Sequence, residues 1–152
     1  MLPSNIFTDV YIRLMGRFVK RLKSNEDEYL EYYVNEKWRK LSKEYNTSGL
    51  PLPCVIYVGW LFKEGNAEFN GKEIILYVLE EGTLIHEMIH YCQFSRNPYK
   101  LKSIIFQTEE EIEARKKREI EAYFISQRVI GQPISMQEAE KRAIASMHGR
   151  SY

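Results

Sequence analysis

Residues 83–93 read TLIHEMIHYCQ and hold two of the three histidines in the 152-residue chain. The apolar residues of this stretch recur at helical spacing, which predicts a packed α-helix. His86 and His90 are four residues apart, so on a helix they lie on one face, one turn from each other. Two imidazoles at that spacing can bind one zinc ion, and Glu87 can reach a water molecule beside it. The H-E-x-x-H pattern therefore favours a zinc-dependent hydrolase over a surface helix with two exposed histidines.

Residues on both sides of this stretch indicate where the helix begins and ends. Thr83 follows Gly82, and a threonine side chain can cap a helix N-terminus by accepting a backbone N–H. Asn97 precedes Pro98, and the residue before a proline disfavours helical backbone. The sequence therefore predicts a helix that begins near Thr83, ends near Asn97 and presents both histidines to one cleft.

A third metal ligand is expected, because catalytic zinc takes three protein ligands and leaves one position for water. Glu119 is the favoured residue, since it projects from the middle of an otherwise apolar stripe on a helix predicted over 109–130. A carboxylate at such a position is costly to bury without a partner, and a metal ion is a suitable one. A buried salt bridge is the alternative explanation for Glu119.

Two other residues compete with Glu119 as the third ligand. Glu121 lies on the opposite side of the same predicted helix and follows the basic run 115–118, which favours a solvent-facing position. His148 falls at the end of the last predicted helix, where the helix dipole favours a cation. His148 could instead turn back to bind the metal, or donate a hydrogen bond to a transition-state oxyanion.

Helices are predicted in the first 45 residues. An amphipathic pattern over 5–23 places Ile6, Val10, Leu14 and Phe18 on one apolar stripe. A second helix is predicted over 25–45, opened by Ser24 with Asp27 three residues later.

The middle of the chain changes to the spacing of β-strands. Strands are predicted over 54–62, 67–69 and 72–79, and Asn70–Gly71 is a strong signal for a tight hairpin turn. After the histidine helix and the helix over 109–130, Ser135 opens a last helix. The prediction is an α+β fold in one domain, 1–152, with N-terminal helices, a small antiparallel sheet, the histidine helix and C-terminal helices that carry the third ligand.

Composition narrows the class of protein. An apolar content of 44% and a charged content of 28% are typical of a globular protein, and a net charge of +1 indicates neither nucleic acid nor membrane as a partner. Asp9, Arg13 and Arg17 interrupt the apolar N-terminus, so no signal peptide is expected. Cys54 and Cys92 each lie in an apolar run and are predicted as buried thiols, not a disulfide framework. A cytoplasmic protein is therefore expected.

Two segments resemble metallopeptidases of the zincin group. Residues 83–93 are similar to the active-site helix of small zincins, including SprT-like proteins. The segment EIEAY, residues 119–123, resembles the E-x-x-A-D/N element of gluzincins, whose first glutamate is the third zinc ligand, with Tyr123 in place of the usual Asp or Asn. SprT-like proteins use a third histidine downstream, whereas this chain has no histidine between His90 and His148. Their cysteine-rich zinc ribbon is also missing, so their function in DNA repair is not carried over.

The resemblance implies a zinc metallopeptidase that hydrolyses peptide bonds in a protein or peptide substrate. His86, His90 and Glu119 would bind Zn²⁺, which activates a water molecule. Glu87 would take a proton from that water as general base and pass it to the leaving amine. A zincin fold with these residues at its centre is therefore expected.

Further predictions concern the residues that would assist catalysis, the strand that would bind the substrate, and other functions of the protein. Tyr123 or His148 would stabilise the oxyanion. The substrate would lie along the edge of the sheet, on the strand over 67–69 or the one over 72–78. The alternative function is a catalytically inactive binding or interaction protein on the zincin scaffold, and a toxin or phage-encoded effector with one protein target is a further possibility.

Overall fold

The structure is a computed structural model that describes residues 5–18, 21–59, 66–101 and 107–149. Within those residues the chain forms an α+β fold, as predicted. Its helices are α1 (Asn5–Phe18), α2 (Glu28–Ser42), α3 (Glu81–Arg96), α4 (Glu109–Val129) and α5 (Met136–Gly149). Its strands are β1 (Leu22–Lys23), β2 (Val55–Tyr57), β3 (Ala67–Phe69) and β4 (Ile74–Leu76). Of the predicted elements, 19–20 of the first helix and 60–62 of the first long strand lie outside the described residues.

The four strands form one sheet in the order β1-β2-β4-β3. The predicted hairpin is confirmed: β3 and β4 are antiparallel with Phe69 opposite Ile74, and Gly71 has a φ of 91°. The prediction of a purely antiparallel sheet is wrong, because β2 and β4 run parallel. The reason is that β3 lies outside β4 instead of between β2 and β4, so β2 pairs with the inner edge of the hairpin.

The region between α1 and α2 differs from the prediction. The first helix ends at Phe18, and residues 22–23 form β1 against β2. Ser24 does not cap α2, because its hydroxyl accepts a hydrogen bond from the Val55 N–H at 2.8 Å. Asp27 is the N-cap instead and accepts from the Leu30 N–H at 2.9 Å. The Ser24 side chain, which was predicted to cap a helix, thus connects β2 to the residues just before α2.

α3 lies at the centre of the molecule, where it packs against β3, β4, α2 and α4. The predicted apolar stripe is confirmed, with five side chains at 0% exposure: Leu84, Ile85, Met88, Ile89 and Cys92. The helix begins two residues earlier than predicted, at Glu81, with Glu80 and not Thr83 at the N-cap position, because the Leu84 N–H donates to the Glu80 carbonyl. It ends at Arg96, next to Asn97, as predicted.

α4 and α5 begin at the predicted caps. Thr108 accepts a hydrogen bond from the Glu111 N–H, and Ser135 accepts from the Glu138 N–H, each at 3.1 Å. α4 packs on α3 along one side and on α5 along another. The Lys116 ammonium lies 3.1 Å from Glu140, an ion pair that joins α4 to α5. The position of α5 is therefore set through α4.

The orientation of α1 was not predicted. Its apolar stripe faces outward: Ile6 is 75% and Phe18 is 77% exposed. The buried side carries Ile12 and Gly16, and a Cβ at Gly16 would come within 2.1 Å of the Tyr57 ring. Close approach of the helix to the sheet, which only glycine permits here, selects this face over the more apolar one.

Two further expectations concern cysteines and membranes. Both cysteines are free thiols; Cys92 is buried as predicted, whereas Cys54 is only half-buried. No helix within the described part of the chain has the length and apolar content needed to cross a bilayer.

Candidate metal centre

His86, His90 and Glu119 meet between α3 and α4, and all three are buried. The Nε2 atoms of the two histidines are 3.1 Å apart. One carboxylate oxygen of Glu119 lies 3.1 Å from Nε2 of His86, and the other lies 3.3 Å from Nε2 of His90. The three side chains could hold a metal ion, since one donor atom from each lies within 4.8 Å of the others.

Helical geometry explains how these side chains reach one another. The two histidines project from the same face of α3 because four residues make about one turn. Glu119 lies in the part of α4 that packs on α3, beside the buried residue Ala122, and is only 3% exposed. Glu119 is thus buried as its place in the predicted stripe indicated, although Ile112, another member of the same stripe, is 42% exposed.

The charges of the centre are coupled. Burial alone would raise the pKa of the Glu119 carboxyl, but hydrogen bonds from His86 and His90 hold it far below its usual range. Burial alone would lower the pKa of His90, but its hydrogen bond with Glu119 and the negative charge of that residue raise it. Glu119 is therefore held in its ionised form beside the two imidazoles, which is the form that binds a metal ion.

Gln93 supports the centre from behind His90. Its side-chain oxygen lies 2.8 Å from Nδ1 of His90 and accepts a hydrogen bond from the Nδ1–H. The other ring nitrogen, Nε2, faces Glu119. The amide nitrogen of Gln93 donates to the Arg118 carbonyl at 3.1 Å and to the Glu121 carboxylate at 2.7 Å. The side chain thus connects α3 to α4 and orients His90.

Glu87 is placed beside the two histidines on α3 and is 4% exposed. Within the described part of the chain its carboxylate takes part in no hydrogen bond or ion pair, yet it lines a cleft with His86. A buried carboxylate without a protein partner, next to a group that could bind a metal ion, is suited to accept a proton from a molecule in that cleft.

The cleft has a volume of about 300 Å³ and opens beside His86. Residues from β3, α3, α4 and α5 and from the loops next to them form its walls. They are Asn66, Ala67, Glu80, Gly82, Thr83, His86, Glu87, Tyr123, Ser126, Gln127 and Arg142. A site of this size accommodates a few residues of an extended peptide.

Of the two strands proposed to bind substrate, only β3 has an edge that no described strand pairs with. β4 lies between β2 and β3 and has partners on both sides, so that alternative is wrong. Ala67 of β3 and Asn66 before it line the cleft. β3 therefore borders the same cleft as His86 of the candidate metal centre.

The other predicted site residues separate into those near the cleft and those away from it. Tyr123 lines the cleft, and its ring centre is 4.4 Å from that of His86. Glu121 is exposed, as expected, and contacts Gln93 instead of the metal group. His148 is exposed in the last turn of α5 and belongs neither to the cleft lining nor to the metal group within the described residues.

Gln93 and Arg142 also belong to this region, and no role was predicted for either from the sequence. Gln93 follows His90 by three residues and shares its helical face, which was a signal for contact with that histidine. Arg142 lines the cleft from α5. No local pattern could indicate Arg142, because its position depends on how α5 packs against α4.

Comparisons with known proteins do not identify a family. The chain matches no protein-family model, no curated protein and no solved structure. The resemblance to zincins therefore stays a prediction that depends on two short segments, 83–93 and 119–123, and on the geometry described above.

Proposed function

We propose that the protein is a zinc-dependent metallopeptidase. The observation that carries this proposal is the convergence of His86, His90 and Glu119 beside a cleft that also contains Glu87. Zinc–nitrogen bonds of about 2.0 Å in a tetrahedral site put neighbouring donor atoms roughly 3.3 Å apart. The separation of 3.1 Å between the two Nε2 atoms is close to that spacing, and so are the separations of 3.1 and 3.3 Å between these nitrogens and the two different oxygens of Glu119.

The donor set also supports zinc. Two imidazoles and one carboxylate are typical of catalytic zinc sites, which keep a fourth position open, whereas structural sites are closed by four protein ligands. No fourth His, Cys, Asp or Glu joins this group among the described residues. Bound zinc would supply Lewis-acid activation of water and of the scissile carbonyl.

Residues of the chain would provide proton transfer, oxyanion stabilisation and substrate binding. Glu87 would accept the proton of the attacking water and deliver it to the leaving amine. Tyr123, on the wall next to His86, is the residue best placed to donate to the developing oxyanion, since His148 lies away from the cleft. The free edge of β3 would hold an extended substrate by backbone hydrogen bonds.

Metal content tests the ligand set. We expect about one zinc ion per chain after reconstitution of the parent, measured by mass spectrometry of the metal. Glu119→Ala should lose most of it, because one of three ligands is gone, whereas Glu113→Ala, an exposed change on the same helix, should keep it. Zinc that survives Glu119→Ala but not Glu121→Ala would reassign the third ligand, and a parent that binds no zinc would refute the proposal.

Activity tests the general base separately from the metal. The parent should cleave peptides from a mixed library, followed by mass spectrometry of the products. Glu87→Gln should keep its zinc and lose about 10²- to 10⁴-fold in kcat. Full cleavage by a zinc-loaded Glu87→Gln protein would contradict this mechanism. Zinc binding without any cleavage by the parent would favour the inactive binding protein instead.

A further inference from the structure

Among the described residues, one basic residue lines the cleft and has no part in the reaction described above. Arg142 is the only lysine or arginine among the described residues of the cleft lining. The acidic residues of the lining are Glu80 and Glu87. A guanidinium in such a cleft marks the place where a negatively charged group of a bound molecule is most favoured.

The packing of α5 holds Arg142 at this place. Ala139 and Ala143 are 0% exposed and form the face of α5 that packs toward α4. Arg142 immediately precedes Ala143, so its side chain leaves the helix at the border of the buried face. The ion pair between Lys116 and Glu140 further ties α5 to α4. The guanidinium is therefore carried by an anchored helix and not by a loop.

Arg142 already forms an ion pair with one carboxylate of the chain, that of Glu138. Its Nε donates to the Glu138 carboxylate, one helical turn away, at 3.1 Å. Within the described part of the chain no other hydrogen bond or ion pair of this guanidinium is present. Its two terminal nitrogens are therefore available, and a guanidinium edge of this kind matches the two oxygens of a carboxylate.

The walls of the cleft indicate which part of a substrate would reach Arg142. α3 packs against β3 and also against α4, which carries α5. A peptide paired with the edge of β3 that the described residues leave open would direct alternate side chains to the face of the sheet on which α3 packs. Arg142 of α5 and Gln127 of α4 line the cleft that Ala67 of β3 also lines.

On the basis of the proposed peptidase function, we propose that Arg142 forms a carboxylate-binding subsite. The substrate then carries a carboxylate close to the scissile bond, supplied by an Asp or Glu side chain or by a free C-terminus. Arg142 is thus a specificity residue that touches the substrate, while hydrolysis itself depends on Glu87 and the metal group.

Paired peptides test the subsite. Each pair differs only in Asp against Asn at one position, or in a free C-terminal acid against the amide. Cleavage by the zinc-loaded parent is measured as kcat/KM, and binding to zinc-loaded Glu87→Gln is measured by calorimetry. We expect the parent to favour the carboxylate member of one type of pair by about tenfold, and the type of pair identifies the source of the carboxylate.

Variants of α5 connect this preference to Arg142. Arg142→Gln should abolish the preference, and Arg142→Lys should keep only part of it, since a single ammonium cannot bind both oxygens. Glu138→Gln should strengthen the preference because it removes the competing carboxylate. Lys141→Glu is the matched control: it makes a charge change on an exposed position of the same helix and should leave the preference unchanged.

The outcomes separate the subsite from the enzyme. Cleavage without discrimination within any pair, or discrimination that persists in Arg142→Gln, overturns the subsite and leaves the peptidase in place. Binding that discriminates in the Glu87→Gln protein, with no cleavage by the parent, supports the subsite and overturns the peptidase. A protein that neither binds nor cleaves any peptide overturns both.

Discussion

Gln93 connects the candidate ligand His90 to α4 through three hydrogen bonds. It accepts from His90 and donates to the Arg118 carbonyl and the Glu121 carboxylate. A partner on the far nitrogen of a ligating histidine fixes its tautomer and increases its basicity. Gln93 therefore belongs to the candidate metal centre even though it is not one of the three residues that could bind the ion.

Removal of the Gln93 amide should weaken metal binding while the fold is kept. We expect Gln93→Ala to raise the Kd for zinc by about 10- to 100-fold, measured by competition with a chelating dye. Gln137→Ala, an exposed glutamine on α5, is the control and should bind like the parent.

A swap of two side chains distinguishes hydrogen bonding from packing. Gln93→Glu alone places two carboxylates together, next to Glu121, whereas Gln93→Glu combined with Glu121→Gln restores a donor and an acceptor. The double variant should recover most of the zinc affinity lost in Gln93→Glu. Equal affinity of the single and double variants would mean that Gln93 acts through packing alone.

At the scale of residues, the candidate site was predictable where one helix decides the geometry. The spacing of His86 and His90 placed both on one face of α3. Glu119 was predictable because a lone acid among apolar neighbours needs a partner, and it is indeed buried beside the histidines. Arg142 was not predictable, since the crossing of α5 over α4 depends on contacts between residues far apart in sequence.

At the scale of elements, the candidate centre joins two helices. α3 contributes His86 and His90, and α4 contributes Glu119, so a bound ion would link the helices as well as fill the site. An ion that binds only the folded state stabilises it according to its concentration relative to Kd. The metal is therefore expected to contribute to the stability of the α3–α4 pair.

Chelation measures this contribution. Addition of a chelator to the zinc-loaded parent should lower the free energy of unfolding by about 3 kcal/mol, which corresponds to a Tm decrease of roughly 6–12 °C. Glu119→Ala should show little change on chelation because it binds little zinc. An equal Tm decrease in this variant would indicate that the chelator acts somewhere other than at the proposed site.

Elements were predictable from sequence where their ends depend on neighbouring residues. Thr108 and Ser135 cap α4 and α5 by contacts only three residues long. Ser24 has the same local pattern, yet its hydroxyl binds the Val55 N–H, 31 residues away. Sheet formation thus competes with helix capping for the same side chain, and the local pattern does not reveal which wins.

At the scale of the whole molecule, stability should depend on pH in a way that the metal changes. In the metal-free protein, the lowered pKa of Glu119 adds stability above its ordinary value of 4.5, and this is lost as the pH falls. The raised pKa of His90 adds stability below its ordinary value of 6.5, and this is lost as the pH rises through the raised value. The two contributions coincide between pH 4.5 and 6.5.

Urea unfolding from pH 4 to pH 9, with chelator present, measures this dependence. The parent should be most stable between about pH 4.5 and 6.5, whereas Glu119→Gln, which cannot form the ion pair, should show a flatter profile. Zinc should shift the optimum of the parent to higher pH, because the ion competes with protons for His86 and His90. A parent profile as flat as that of Glu119→Gln would show that the ion pair does not contribute.

The order of the strands could not be predicted at this scale. The Asn70–Gly71 turn specifies that β3 and β4 pair, but both strands of a hairpin have an outer edge. Pairing of β2 with β4 leaves β3 as the last strand of the sheet that the structure describes, and β3 borders the cleft. The α+β class follows from local patterns, whereas the choice between these edges follows from tertiary packing.

In α1 the apolar residues tolerate substitution and a glycine does not, which is the opposite of what their residue types suggest. Ile6, Val10 and Phe18 look like core residues in the sequence but stand in water, so polar replacements there leave the interior intact. Gly16 looks dispensable, yet even alanine would collide with the ring of Tyr57. Polar substitutions in that stripe should therefore increase solubility at high protein concentration, whereas Gly16 should be kept.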